Sequence, residues 1–70
     1  MKLNYYADID SLYIDLSERT SVESREVSEG VVLDYDVDGN IVGIDIDHAS
    51  TKVELTSLHT TGWPNGAIAS

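Results

Sequence analysis

Asp34-Tyr35-Asp36-Val37-Asp38-Gly39-Asn40-Ile41-Val42-Gly43-Ile44-Asp45 is the stretch on which the fold turns. Acids at relative positions 1, 3, 5 and 12, with Gly at 6, reproduce most of an EF-hand calcium loop. The same residues alternate apolar and polar with a period of two around an Asp-Gly turn, which is the pattern of a β-hairpin. The flanks separate the two readings. An EF-hand loop needs helices on both sides to aim its oxygens at one point. Here the flanks are Val31-Val32-Leu33 and Ile41-Val42-Gly43-Ile44, which are β-rich. On a strand, Asp34 and Asp36 point the same way but lie about 6.5–7 Å apart. Such carboxylates make a surface and enclose no cavity. The loop also ends in Asp45, where a bidentate Glu is usual. The hairpin is the reading adopted. A calcium-binding module built on Asp34, Asp36, Asp38 and Asp45 is the alternative.

With Asp38-Gly39 as a two-residue turn, Tyr35 faces Val42, Leu33 faces Ile44, and Val31 faces Ile46. The opposite face collects Asp34, Asp36, Asp45 and Asp47, with Val32 and Ile41. A one-residue slip would put carboxylates on the apolar face, so the sidedness is strongly specified.

A second hairpin precedes this one. Residues 2–6 and 11–16 are strand candidates, with Leu12, Ile14 and Leu16 alternating with Tyr13 and Asp15. Closing the chain over Ala7-Asp8-Ile9-Asp10 sets Tyr5 opposite Leu12 and Leu3 opposite Ile14. Lys2 then meets Asp15 on the other face, a favourable cross-strand pair. Between the hairpins, residues 22–27 read as a charged edge strand in which Val22 and Val27 share a face only through a bulge. Ser28-Glu29-Gly30 turns into the next strand.

The fold class is therefore mainly β, a single antiparallel meander of about five strands built from two hairpins. It becomes α+β if the C-terminal tail is helical. Residues 51–59 mix strand spacing (Val53, Leu55) with helical spacing (Leu55, Leu58), and Gly62-Trp63-Pro64-Asn65-Gly66 reads as a turn. One domain over residues 1–60 is expected, with a flexible tail over 61–70 whose last four residues fray. A single sheet buries only one face and needs a second layer. No long amphipathic helix is available to supply it, so a homodimer is expected.

Composition narrows the function classes. The chain has 70 residues, with 13 acids against 4 Lys plus Arg and a net charge of −9. Phosphate binding needs a basic surface, so nucleic acid and anionic membranes are excluded as partners. From Glu26 to Thr51 there is no Lys or Arg, and the acidic face suits a basic protein partner. Cysteine is absent, which excludes disulfides and thiolate zinc sites and is compatible with a cytoplasmic location. No signal peptide or membrane-spanning run is apparent.

Catalytic chemistry finds little support. Asp47, His48 and Ser50 lie close together, but no nucleophile motif orients the serine. Asp8 and Asp10 could pair as acid and base, but Asp in a hairpin loop more often bonds its own backbone. There is no phosphate-cradling glycine loop, no cofactor is expected, and no residue is assigned as catalytic. The outer aromatics Tyr6 and Tyr13 fit an interface. Together with Asp34, Asp36, Asp45 and Asp47 they form the candidate interaction surface.

Tyr5-Tyr6-Ala7-Asp8-Ile9-Asp10-Ser11-Leu12-Tyr13-Ile14-Asp15-Leu16 resembles the opening of a family of short bacterial proteins, the domain of unknown function family 2283. Gly30 to Ser50 is similar to the second half of that family. The resemblance covers about residues 3–50 and implies a small β-rich domain. It implies no activity, cofactor or catalytic residue. Members often continue with a charged, helix-like tail. This chain continues instead with Thr51-Lys52-Val53-Glu54-Leu55.

Overall fold

The structure, a computed structural model, describes residues 1–64. It is mainly β. Strands β1 (Lys2–Tyr6), β2 (Ser11–Asp15), β3 (Glu23–Ser28), β4 (Val31–Tyr35) and β5 (Ile41–Asp47) are followed by one helical turn, α1 (Ala49–Lys52). The strands form a single open antiparallel sheet in the order β1-β2-β5-β4-β3. The run β3-β4-β5 is sequential, and the β1-β2 hairpin joins it through β2 against β5. β1 and β3 are the edges. Among the described residues, no helix is long and apolar enough to cross a membrane.

The first hairpin has the register that alternation dictates: Leu3 faces Ile14, Tyr5 faces Leu12, and Lys2 faces Asp15. β3 is the polar edge, and its pairing with β4 shifts between Glu26 and Ser28. The expected bulge is therefore present, with Val27 as its unpaired residue.

Away from its turn the β4–β5 hairpin keeps its expected sidedness, with Val31 opposite Ile46 and Leu33 opposite Ile44, but Ile41, expected on the acidic face, is opposite Tyr35 on the apolar one. Its turn differs. Tyr35 faces Ile41, not Val42, and the register shifts between Asp34 and Tyr35. The loop is three residues long, Val37-Asp38-Gly39. The Asp36 amide donates to the Asn40 carbonyl (2.9 Å) and the Gly39 amide to the Asp36 carbonyl (3.1 Å). Gly39 takes the left-handed conformation (φ 83°) that such a loop requires. The odd residue is absorbed by a bulge at Val42, which is turned inward to 3% exposure.

Asp36 explains the longer turn. Its Oδ1 accepts from the amides of Asp38 (2.9 Å) and Asn40 (2.8 Å). Its Oδ2 accepts from Asn40 Nδ2 (3.2 Å) and Arg19 Nη1 (3.1 Å). Arg19 lies on the segment connecting β2 to β3. That segment is also held by Leu16 N to the Val42 carbonyl (2.9 Å) and Val22 N to the Tyr35 carbonyl (2.8 Å). One buried carboxylate therefore ties a loop to the connection that crosses the end of the sheet.

The core is small. Leu12, Ile46 and Ala49 are buried, with Ile14, Ile44 and Val53 packed against them. α1 resolves the mixed spacing after residue 50: helical through Lys52, extended at Val53, and irregular beyond. Its N-cap, His48, is left-handed (φ 53°) and gives no side-chain cap. The free helical amides go to Asp10 on the distant β1–β2 loop. The Ala49 amide donates to the Asp10 carbonyl (2.9 Å). The Ser50 amide and hydroxyl donate to the Asp10 carboxylate (3.0 and 2.7 Å). An N-cap is thus supplied from forty residues away. The expected turn over 62–66 and the fraying of 67–70 extend beyond the described residues.

Candidate functional site

The outer face of the sheet carries most of the residues expected to form an interaction surface. Alternation places Tyr6, Tyr13, Asp34, Asp45 and Asp47 on this side, and Val32 pairs with Asp45 as expected. Tyr6 is half exposed. Asp36 is the exception. It was expected beside Asp34, but the three-residue loop folds it inward to 5% exposure. Asp38 sits exposed at the loop tip.

Tyr13 organises the centre of this face. It leaves β2 and lies across Gly43 of β5, where its hydroxyl donates to Asp34 Oδ2 on β4 (2.8 Å). Ser24 Oγ on β3 donates to the other oxygen of Asp34 (2.6 Å). A side-chain strap therefore crosses four strands. It exists because position 43 has no Cβ: one built there would overlap the Tyr13 ring and hydroxyl. The hydrogen bond to Asp34, burial, and the nearby charges of Asp34, Asp15 and Asp45 push the Tyr13 phenol up to about 12. Beside the strap, Ser11 Oγ donates to Asp45 Oδ1 (3.1 Å).

At the Gly30 end of the face lie two shallow, open hollows of about 590 and 280 Å³, sharing Glu26, Gly30 and Asp47 in their linings. The Lys52 ammonium reaches into the larger one and donates to the Asp47 carbonyl. Gly30 leaves room for it.

The four carboxylates of the calcium reading do not converge. Asp34 is held by Tyr13 and Ser24, Asp36 by the loop and Arg19, and Asp45 by Ser11, while Asp38 stands apart. Among the described residues, no group of three or more His, Asp or Glu side chains is placed to hold a metal ion. Nor do Asp47, His48 and Ser50 form a catalytic arrangement. His48 Nδ1 lies 3.4 Å from Asp47 Oδ2 on the surface, and the Ser50 hydroxyl is given to Asp10.

Asp10 is the residue whose role sequence reading missed. It does not bond its own turn. Besides Ser50 it accepts from the Tyr5 hydroxyl (2.8 Å). The Ser50 and Tyr5 hydrogen bonds hold its carboxyl below the ordinary range, so at neutral pH it is an ionised acceptor and no proton donor. Asp36 is held low too, first by the Asn40 amide, then by the Asn40 side chain, the Asp38 amide and Arg19, against the opposing effect of burial.

These shifts set the pH response. Asp10 and Asp36 bind protons less readily when folded than at the ordinary value of about 3.9. Their contribution is complete above that value and is lost as pH falls through the folded-state pKa. Tyr13 has the opposite sign. Its contribution is complete below the ordinary phenol value of about 10 and disappears as pH rises towards about 12. Thermal melts across pH should show both losses. D10N and D36N should each flatten the acid side, and Y13F the alkaline side. At neutral pH, Gly43→Ala should cost about 1–3 kcal/mol by overpacking against Tyr13, measured by urea unfolding.

No curated protein and no solved structure matches the chain. The family described as Protein of unknown function (DUF2283) matches residues 2–50. That span contains all five strands, the Tyr13 strap and both ends of the Asp10–Ser50 link. The chain belongs to this family of proteins of unknown function.

Proposed function

We propose that this domain is a protein-interaction or structural module that acts as a homodimer. The observation that carries the reading is the bare apolar side of the sheet. α1 covers only the end occupied by Leu12 and Ile46. Leu3 and Tyr5 on the same side remain 48% and 45% exposed, and among the described residues no large side chain is fully buried. A standard interface takes about 800 Å² from each partner.

The border of this face has the make-up of an interface rim. On β3, Glu23 and Arg25 pair with each other, and the Arg25 guanidinium lies 5.4 Å from the centre of the Tyr35 ring. An apolar centre with a charged margin is how protein interfaces are built. The outer face, with Glu26, Glu29, Asp45 and Asp47 around its open hollows, remains free in such a dimer and suits a basic protein partner.

Light-scattering mass at two protein concentrations tests the reading. At least twice 7.7 kDa is expected at the higher concentration, unchanged by millimolar calcium. A monomer at both concentrations would contradict it.

A further inference from the structure

We infer that the free edge of β1 is a strand-addition site and that its occupant is the β1 strand of a second copy, paired antiparallel about Asn4. The inference rests on the self-association reading but names a different surface, and edge pairing leaves both sheet faces free.

The two edges of the sheet are built differently. β3 has the devices that discourage strand addition: a register shift between Glu26 and Ser28 and three charged side chains, of which Glu23 and Arg25 form an ion pair. β1 has neither the register shift nor the ion pair. It is Lys2-Leu3-Asn4-Tyr5-Tyr6, paired with β2 without a break in register. It contains no proline and one charge, at its end, and Leu3, Tyr5 and Tyr6 are each about half exposed. An unbroken edge with a single terminal charge offers unpaired amides and carbonyls to another strand.

Charge selects the occupant. Each copy carries −9, so two copies repel wherever carboxylates meet. Among the five described strands, β1 is the one without an acid: Asp15, Glu23, Glu26, Asp34, Asp45 and Asp47 all lie on the others. A basic partner would be drawn to the opposite edge or to the outer face. The edge where a second copy meets least repulsion is β1.

The sequence of β1 also complements itself. A two-fold axis at Asn4 sets Leu3 opposite the partner's Tyr5, which continues the apolar face across the seam. On the outer face it sets Lys2 opposite the partner's Tyr6, ammonium against aromatic ring, and Asn4 opposite the partner's Asn4. Such an isologous contact closes on itself.

The chain has no cysteine, so a single introduced thiol reports the register. In the proposed pair, position 4 meets its own copy at an antiparallel Cα separation of about 4.5–5.5 Å, within disulfide range. Position 6 lies about 13 Å from its own copy, too far for a disulfide. Under mild oxidation of the full chain, Asn4→Cys should cross-link at least about tenfold faster than Tyr6→Cys, because a preformed pair makes the reaction intramolecular. Circular dichroism of both variants confirms that they are folded. Equal rates, or no cross-link at position 4, would overturn the inference. If the unmodified chain is then a dimer by mass, self-association stands on the sheet face. If it is a monomer, both readings fall.

Discussion

Burial on one side of a single sheet is the constraint from which the other features follow. Period-two alternation in every hairpin sends Leu3, Tyr5, Leu12, Ile14, Leu33, Ile44 and Ile46 to one side. The chain then has one helical turn with which to cover them. That turn is too short to be stable in isolation. It holds because Ala49 lands on Leu12 and Ile46 while its free amides find Asp10. Apolar contact and hydrogen bonding therefore support each other at one corner. Elsewhere the face is left open, and the case for a second copy rests there.

The polar side solves a different problem. Five carboxylates in one hairpin would repel each other if all were solvated together. The fold gives three of them different partners: Asp34 has a phenol and a hydroxyl, Asp36 has loop amides and an arginine, and Asp45 has a serine. Gly43 belongs to this arrangement. A residue that weakens a strand in isolation is here what lets Tyr13 lie flat and reach Asp34. The acidic pattern that resembles a calcium loop is thus largely engaged in holding strands and a turn. The acids around the Gly30 end remain open to solvent and set the charge that any partner meets.

Much of this was legible in the residues themselves. The first hairpin closes in the register that Lys2–Asp15 and Tyr5–Leu12 require, and the sidedness of β4, and of β5 from Gly43 onward, follows from alternation alone. Local patterning dictates such features. The turn length was not legible, because Asp38-Gly39 suits two-residue and three-residue loops equally. The choice is made by Asp36, whose acceptors engage Asn40 and the remote Arg19. The bulge at Val42 and the burial of Asp36 follow from that choice. The Asp10–Ser50 link was hidden for the same reason: its ends are far apart in the chain, and no periodicity connects them. The docking of β2 on β5 is likewise a long-range pairing. On the functional side, the residues revealed an acidic face and a missing second layer, and the structure adds the contrast between the two sheet edges.

The most direct measurement is an isotope-filtered nuclear Overhauser experiment on a mixture of labelled and unlabelled chains, reading the methyl groups of Ile14, Leu33 and Ile44. If a second copy covers the apolar face, these methyls should show contacts to protons of the other chain. Their absence, in a sample tumbling as a 7.7 kDa particle, would mean that the face stays open to water and that the central claim is wrong.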